Sequence, residues 1–254
     1  GQGRGHPRRG LGFVGADSAP VNRTAAVVPA AGKGMRLGPG APKALRPLGG
    51  SPLLVHAVRA LSLARGVDVV VVAAPEEEVD MVRTLLSGVV SDAELTVVAG
   101  GDTRQSSVAR ALIALPADVD VVLVHDAARP LVPVEMVERV AAAVRAGSPA
   151  VIPVLGLVDT VKTVDAEGRV VATPDRAQLR AVQTPQGFTR SVLQQAHAHA
   201  EVDDVTDDAG LVERQGVEVA TVAGHEEAFK VTRPMDLVLA EAVLSRRRAG
   251  GVVA

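Results

Sequence analysis

The stretch Val119-Asp120-Val121-Val122-Leu123-Val124 is followed directly by His125-Asp126-Ala127-Ala128-Arg129-Pro130. A short run made almost entirely of branched apolar residues predicts a β-strand that is buried on both faces of a parallel sheet. In open α/β sheets, ligands bind beyond the carboxyl ends of the strands. The polar residues that follow this strand are therefore the first place to look for a functional site.

Similar apolar runs lie on both sides of this stretch, and they alternate with segments of helical periodicity. The predicted strands are Ala25–Val28, Val67–Ala74, Leu95–Ala99, Val119–Val124 and Ala150–Val154. The predicted helices between them are Leu53–Ala64, Glu76–Leu86, Gln105–Leu115 and Pro133–Ala146. This order predicts an α/β fold with a doubly wound, mostly parallel, Rossmann-like sheet.

The alternation stops between residues 156 and 183. Two short β-like pieces, Asp159–Val164 and Arg169–Ala172, enclose the turn Asp165–Gly168. They predict a hairpin that protrudes from the main sheet as a β-arm. The remaining predicted elements are helices at Thr189–Ala200, Asp207–Gln215 and Pro234–Arg248 and a strand at Val217–Ala223. We expect one domain over residues 23–250, preceded by a disordered extension over residues 1–22.

The composition excludes several classes of function. The chain has 254 residues, no cysteine, three Phe, no Tyr and no Trp, and its net charge is −2. Thiolate catalysis and cysteine-based zinc sites are excluded. The near absence of aromatic rings and the balanced charge argue against nucleic-acid and anionic-membrane partners. No apolar run approaches the ~20 residues of a membrane span, and nothing resembles a secretory signal, so we expect a cytoplasmic protein.

The loop after the first strand suits a polyphosphate. It runs Pro29-Ala30-Ala31-Gly32-Lys33-Gly34-Met35-Arg36, and Lys43 follows shortly after. Small residues let backbone N–H groups approach an anion closely, and the cations add charge. The loop is not a Walker A motif, because no Gly-Lys-Ser/Thr follows, and the third glycine of a dinucleotide fingerprint is missing. A Gly-rich turn with surface cations is the alternative.

Other strand ends carry residues with two possible roles. In Gly100-Gly101-Asp102-Thr103-Arg104-Gln105-Ser106-Ser107, the polar groups either bind a base or cap the next helix. Asp126 and Arg129 suit a divalent cation and a phosphate, or else each other. A lone histidine such as His125 is more often structural than a catalytic base. His197 and His199 point to different faces of a predicted helix, so we expect them to be solvated.

Taken together, these segments resemble the 2-C-methyl-D-erythritol 4-phosphate cytidylyltransferase family of the nonmevalonate isoprenoid pathway. The resemblance covers residues 24 to 248, and its most specific motifs are His125-Asp126-Ala127-Ala128-Arg129-Pro130 and Lys230-Val231-Thr232-Arg233-Pro234. It implies a nucleotidyltransferase fold, CTP with Mg²⁺, and a homodimer through the β-arm. In the implied reaction, the 4-phosphate of a sugar alcohol attacks the α-phosphorus of CTP and pyrophosphate leaves.

The resemblance also implies roles for individual residues. The catalytic residues would be Arg36, Lys43, Arg176 and Lys230. The nucleotide would be bound by Ala30, Ala31, Gly32, Gly101, Asp102 and Ser107. The second substrate would be bound by Asp126, Arg129, Thr160, Thr184 and Thr206, with Asp126 also on the metal. Because Arg176 lies in the arm, we expect it to serve the active site of the partner chain.

Three other functions are compatible with parts of this pattern. A ribitol-5-phosphate cytidylyltransferase shares the first loop, but the two alanines between Asp126 and Arg129 disfavour it. A nucleotide-binding protein without activity would not need Arg36, Lys43, Arg176 and Lys230 together. A Rossmann oxidoreductase is disfavoured by the missing third glycine.

Overall fold

A computed structural model describes residues 23–32, 42–200 and 206–251 of the chain. In this part of the chain the strands are β1 Arg23–Pro29, β2 Pro47–Leu48, β3 Ser51–Pro52, β4 Val69–Ala74, β5 Glu94–Ala99, β6 Val119–Val124, β7 Ala150–Gly156, β8 Thr163–Val164, β9 Val170–Ala172, β10 Arg180–Val182, β11 Gln186–Thr189 and β12 Val219–Ala223. The helices are α1 Leu53–Leu63, α2 Val79–Leu86, α3 Arg104–Ile113, α4 Val134–Arg145, α5 Arg190–Ala198, α6 Asp208–Glu213 and α7 Pro234–Ala249. The predicted extension over residues 1–22 lies outside the described residues.

The main sheet confirms the predicted α/β fold. Strands β5, β4, β1 and β6 lie side by side in parallel, in that order. Beyond β6 the sheet continues through β11, which is antiparallel, to β7, and β12 adds a parallel strand on the far edge of β7. The carboxyl ends of β1, β5 and β6 therefore share one edge, where the predicted ligand loops meet.

Helices cover both faces of this sheet, as a doubly wound fold requires. Alternate residues of one strand enter different clusters: Ala26 and Val28 of β1 face α1, α2 and α4, whereas Ala25 and Val27 face α3, α5 and α6. Both faces of the strand are therefore buried, which explains its continuous apolar sequence. None of the helices in the described ranges is long and apolar enough to cross a membrane.

Four strands are absent from the sequence prediction: the short pair β2 and β3, and β10 and β11 of the main sheet. β11 is the four-residue segment Gln186-Gly187-Phe188-Thr189, too short and too mixed to show periodicity. Its place in the sheet depends on close packing against α4. A Cβ on Gly187 would lie 2.7 Å from Val140 Cγ1 and 2.9 Å from Val144 Cγ2, so any larger residue would force these valines to shift.

The arm forms as predicted, as a hairpin outside the main sheet. β8 and β9 pair only with each other, in antiparallel orientation. Asp165 closes the turn by accepting hydrogen bonds from the backbone N–H groups of Glu167 and Arg169. Every residue of β8 and β9 is exposed, including Val164, Val170 and Val171. The arm therefore has no apolar partner among the described residues of its own chain.

Candidate active site

One cleft at the carboxyl edge of the sheet brings together most of the predicted residues. The loop after β1, the start of α3, the loop after β6 and the segment before α7 form its walls. Its lining includes Ala30, Ala31, Gly32, Lys43, Arg104, Ser107, Asp126, Ala127, Ala128 and Lys230. Arg36, predicted to be catalytic, lies outside the described residues.

The Ala30–Gly32 segment borders the cleft, and the sheet uses one of its backbone donors. The backbone N–H of Ala30 donates to the carbonyl of Ala73 at 2.8 Å, so the sheet already uses this donor. A Cβ on Gly32 would meet nothing within 4 Å among the described residues, so none of them blocks a ligand from approaching Gly32. Backbone donors for a phosphate in this segment must therefore come from Ala31 onward, and the predicted contact of Ala30 with the nucleotide stays a prediction.

The turn after β5 is held together by Ser107. Its Oγ accepts from the N–H of Gly101 at 3.1 Å and donates to the carbonyl of Thr103 at 2.8 Å. The cap of α3 is Thr103, whose side chain forms a reciprocal capping box with Ser106. Asp102 is exposed beside this turn. Capping is thus assigned to Thr103, which leaves Asp102 available for a ligand. Ser107 already uses its hydroxyl to hold the turn, so its predicted contact with the nucleotide stays a prediction.

Asp126 is the centre of the charged network in the cleft. Its Oδ1 accepts from Arg104 Nε at 3.0 Å, and its Oδ2 lies 2.8 Å from Lys230 Nζ. Burial would raise the pKa of Asp126, but the charges of Arg104 and Lys230 outweigh burial and hold the pKa far below its usual range. Asp126 is therefore an anion that fixes two cations at the cleft.

The segment around Asp126 is held by a chain of buried hydrogen bonds. The N–H of Asp126 donates to Thr184 Oγ1 at 3.0 Å, and that hydroxyl lies 3.1 Å from His125 Nδ1. His125 Nε2 lies 3.1 Å from the carbonyl of Arg129, so it must be the protonated nitrogen of a neutral ring. Burial lowers the pKa of His125 to about 4. This neutral ring fits the expected structural role better than that of a catalytic base.

Arg129 and Thr184 lie beneath the cleft rather than on its surface. The Arg129 guanidinium donates to the carbonyls of Ala228 at 2.7 Å and Val182 at 3.3 Å. Burial lowers the pKa of Arg129. Both residues brace the loop after β6, and Arg129 also fixes the segment that leads to Lys230. Their predicted contact with the second substrate stays a prediction.

The remaining predicted residues lie elsewhere. Thr160 and Arg176 are exposed on the arm, where Arg176 donates to the carbonyl of Val158. Arg176 lines a surface pocket with residues of the arm base, not the cleft described above. Thr206 is exposed just before α6. The structure of one chain therefore brings together Lys43 and Lys230 but not Arg176.

Sequence reasoning missed the inner half of the charged network. Arg104 also donates from Nη1 to Asp208 Oδ2 at 2.6 Å, and Asp208 Oδ1 lies 2.9 Å from His197 Nε2. The expectation that His197 is solvated is wrong, because its side chain is only 4% exposed. His199 is exposed, as expected. An acidic residue within reach of a histidine on a neighbouring helix cannot be deduced from spacing along the chain.

A larger cavity of about 500 Å³ lies between α1, the loop after Arg129 and α7. Two of its cations, Arg246 and Arg247, are paired with Glu227. None of the residues predicted to bind substrate lines this cavity. We place the site in the smaller cleft, because several strand ends converge there and Lys43, Arg104 and Lys230 all line it.

The fold and the cationic cleft define the chain as an α/β nucleotidyltransferase. The profile of the family "2-C-methyl-D-erythritol 4-phosphate cytidylyltransferase" matches residues 24–246, and the chain belongs to this family. It is 60% identical over 234 residues to the enzyme of that name from Streptomyces coelicolor, covering 89% of this chain and 86% of that one. The Frankia casuarinae enzyme is 62% identical over 224 residues, covering 88% and 82%.

Solved structures agree with this assignment. 4-Diphosphocytidyl-2C-methyl-D-erythritol synthase from Anaerococcus prevotii superposes with a TM-score of 0.77 at 28% identity, covering 89% of this chain and 99% of that chain. The 2-C-methyl-D-erythritol 4-phosphate cytidylyltransferase from Thermus thermophilus gives 0.69 at 38% identity, covering 88% and 99%.

Enzymes of this kind typically use a divalent metal. Asp126 does not fit the metal role predicted for it, because cations already engage both of its oxygens. No group of three acidic or histidine side chains suited to a metal occurs in the described part of the chain. The residues described here therefore provide no protein cage for the ion.

Proposed function

We propose that this chain transfers CMP from CTP to 2-C-methyl-D-erythritol 4-phosphate, giving 4-diphosphocytidyl-2-C-methyl-D-erythritol and pyrophosphate. Family membership supplies the reaction. The observation that supports it in the structure is the cleft lined by Lys43, Arg104 and Lys230, in which Arg104 and Lys230 pair with the carboxylate of Asp126. Such a cationic edge suits a polyphosphate and an attacking phosphate together.

The reaction needs no covalent enzyme intermediate. An oxygen of the sugar-alcohol phosphate forms a bond to the α-phosphorus of CTP, and the bond from that phosphorus to the bridging oxygen of pyrophosphate breaks. Catalysis is then positioning and charge neutralisation. We assign Arg36 and Lys43 to the charge that develops on the α-phosphate, and Lys230 and Arg176 to the attacking phosphate.

The other predicted residues hold the two substrates. Ala31, Gly32, Gly101, Asp102 and Ser107 would contact the nucleotide from the loops after β1 and β5. Thr160 and Thr206 would line the second pocket, and Thr184 and Arg129 would brace it from below. Asp126 keeps the ammonium group of Lys230 at the cleft, 2.8 Å from its own carboxylate.

The predicted Mg²⁺ belongs to this proposal only as an ion carried by the substrate. Mg²⁺ usually keeps most of its waters and binds through one or two carboxylates together with substrate phosphates. Since Asp126 is occupied by cations, phosphate oxygens of CTP are the available ligands. Asp126→Asn should then leave the Mg²⁺ concentration for half-maximal activity unchanged, whereas a metal ligand at Asp126 would require much more Mg²⁺ after this change.

The homodimer is also part of the proposal. The arm exposes Val158 by 86%, Val170 by 59% and Val171 by 59%, although such residues normally seek burial. A second copy that covers the arm would bury these side chains and bring Arg176 to a neighbouring cleft. The cytoplasmic location expected from the sequence stays a prediction.

Pyrophosphate release tests the proposed function directly. Each of CTP, UTP, ATP and GTP would be offered with methylerythritol phosphate and, separately, with ribitol 5-phosphate. We expect release with CTP and methylerythritol phosphate alone. Release with ribitol phosphate instead would assign the chain to the rival cytidylyltransferase activity, and release only with another nucleotide would overturn the base choice.

A further inference from the structure

The charged network does not end at Asp126 but continues into the protein through Arg104. Arg104 joins two carboxylates: Asp126 at the cleft, 3.0 Å from its Nε, and Asp208 behind it, 2.6 Å from its Nη1. The side chain of Asp208 is 1% exposed. A continuous row of charged groups thus runs from the interior to the ammonium group of Lys230.

Helix capping does not explain the buried carboxylate of Asp208. Asp208 is the first residue of α6, and the preceding Asp207 caps that helix by accepting from the N–H of Gly210 at 3.0 Å. Both oxygens of Asp208 point elsewhere: Oδ1 to His197 and Oδ2 to Arg104. Burying a carboxylate is costly unless it is paired, so this anion is matched to the cation in front of it.

The row pairs two cations with two anions, and a third cation, Arg129, has its Nε 3.9 Å from Asp126 Oδ2. Arg104 and Lys230 are positive, and Asp126 and Asp208 are negative. Burial would raise the pKa of Asp208, but Arg104 and the hydrogen bond from His197 outweigh it, so the carboxylate is ionised. Without Asp208, Arg104 would pair with Asp126 alone. That stronger pairing would compete with the ion pair between Asp126 and Lys230.

We propose that Asp208, held by His197, is a positioning residue for the transfer reaction, acting through Arg104 and Asp126 on Lys230. Asp208 itself lies behind Arg104 and does not line the cleft. This inference rests on the proposed function, because Lys230 is assigned there to the attacking phosphate. It predicts that a substitution at Asp208 lowers kcat/KM mainly for the sugar-alcohol phosphate.

The test compares Asp208→Asn with Asp207→Asn, the same substitution one residue earlier. Asp207 caps α6 and accepts from Gln186, but it has no contact with Arg104. We expect Asp208→Asn to lower kcat/KM for methylerythritol phosphate about tenfold, within the range measured for residues of one charged network. The KM for CTP should change less than twofold, and Asp207→Asn should alter only the melting temperature.

A double-mutant cycle tests whether Asp208 acts through Arg104. In the Arg104→Gln background, Asp208→Asn should have no further effect on kcat/KM, because the connecting cation is gone. An equal loss in both backgrounds, or a loss no larger than that of Asp207→Asn, would overturn the proposal. If Asp208→Asn does not fold, His197→Gln decides instead. It should reduce kcat/KM severalfold, whereas the exposed His199→Gln should not.

A crystal structure of Asp208→Asn separates this inference from the proposed function, since it requires no turnover. Loss or lengthening of the contact between Lys230 Nζ and Asp126 Oδ2 would support the positioning role even if the substrate assignment failed. An unchanged contact together with an unchanged kcat/KM would reject it. Wild-type protein inactive on every substrate pair would count against the proposed function alone.

Discussion

Lys43 and Lys230 both line the cleft, and Lys43 is assigned to the charge that would grow on the α-phosphate. We expect Lys43→Ala to lower kcat by roughly 10²–10³-fold, about 3–4 kcal/mol, the usual loss for one preorganised electrostatic donor. The KM for CTP should move much less, because the interaction strengthens only in the transition state. Arg36→Ala should behave in the same way. Steady-state kinetics would contradict this role if KM rose while kcat stayed intact.

His125 gives the fold a defined response to acid. Its pKa is lowered by burial from 6.5 to about 4, so between these values the unfolded chain binds a proton that the folded chain does not. The free energy of unfolding should therefore fall as the pH drops below 6.5, by about 2–3 kcal/mol on reaching pH 4.5.

His125→Gln removes this contribution, because its amide can still donate to the Arg129 carbonyl but does not titrate. Urea unfolding at pH 7 and pH 4.5 should show a smaller loss of stability in His125→Gln than in the wild type. His199→Gln, a change at an exposed ring, serves as the control and should keep the full loss. Equal losses in all three proteins would show that His125 titrates normally when folded.

At the scale of elements, two residues at the start of α3 have different expected roles: Thr103 caps the helix, and Ser107 supports binding of the nucleotide. Thr103→Ala removes the cap and should cost about 1 kcal/mol of stability with little change in the KM for CTP. Ser107→Ala releases the Gly101 N–H and should raise that KM about fivefold, as expected for one hydrogen bond of about 1 kcal/mol. Kinetics and thermal melts of both variants distinguish the roles. A normal KM for Ser107→Ala would leave Ser107 with a structural role only.

Elements with long, uniform apolar runs were predictable, because a strand that is buried on both faces needs apolar residues at every position. The five Val-rich strands and the helices between them follow from it. β11 was not predictable, since Gln186-Gly187-Phe188-Thr189 owes its place to the fit of Gly187 under α4. Tertiary packing, not local preference, makes it a strand.

The site was predictable where each residue follows a strand, and unpredictable where two helices meet. Asp126, Ser107 and Lys43 were found because strand ends of a parallel sheet converge on one edge. Asp208 and His197 were missed because their pairing depends on how α5 and α6 pack. Arg104 also follows a strand end, but nothing in the sequence shows that it joins two carboxylates from distant elements.

At the scale of the whole molecule, the position of Arg176 decides how an active site is assembled. Lys43 and Lys230 line the cleft of their own chain, whereas Arg176 lies on the arm and donates to the carbonyl of Val158. The arm is an exposed two-stranded hairpin, and such a hairpin is only marginally stable alone. Both facts support a twofold dimer in which each arm covers the partner and delivers Arg176 to the partner's cleft.

Mixing two inactive variants tests this arrangement. In a dimer of one Lys43→Ala chain and one Arg176→Ala chain, one site would receive Lys43 from the second chain and Arg176 from the first, and so be intact. The other site would lack both groups. Refolding equal amounts together makes about half of the dimers mixed, so activity should recover to about a quarter of the wild-type value.

The control mixture replaces Arg176→Ala by Arg169→Ala, a change elsewhere on the arm. Lys43→Ala refolded with Arg169→Ala should give about half of the wild-type activity, because only Lys43 is then missing from half of the sites. If Arg176 served its own chain, every site in the first mixture would lack one group, and pyrophosphate release would not recover at all.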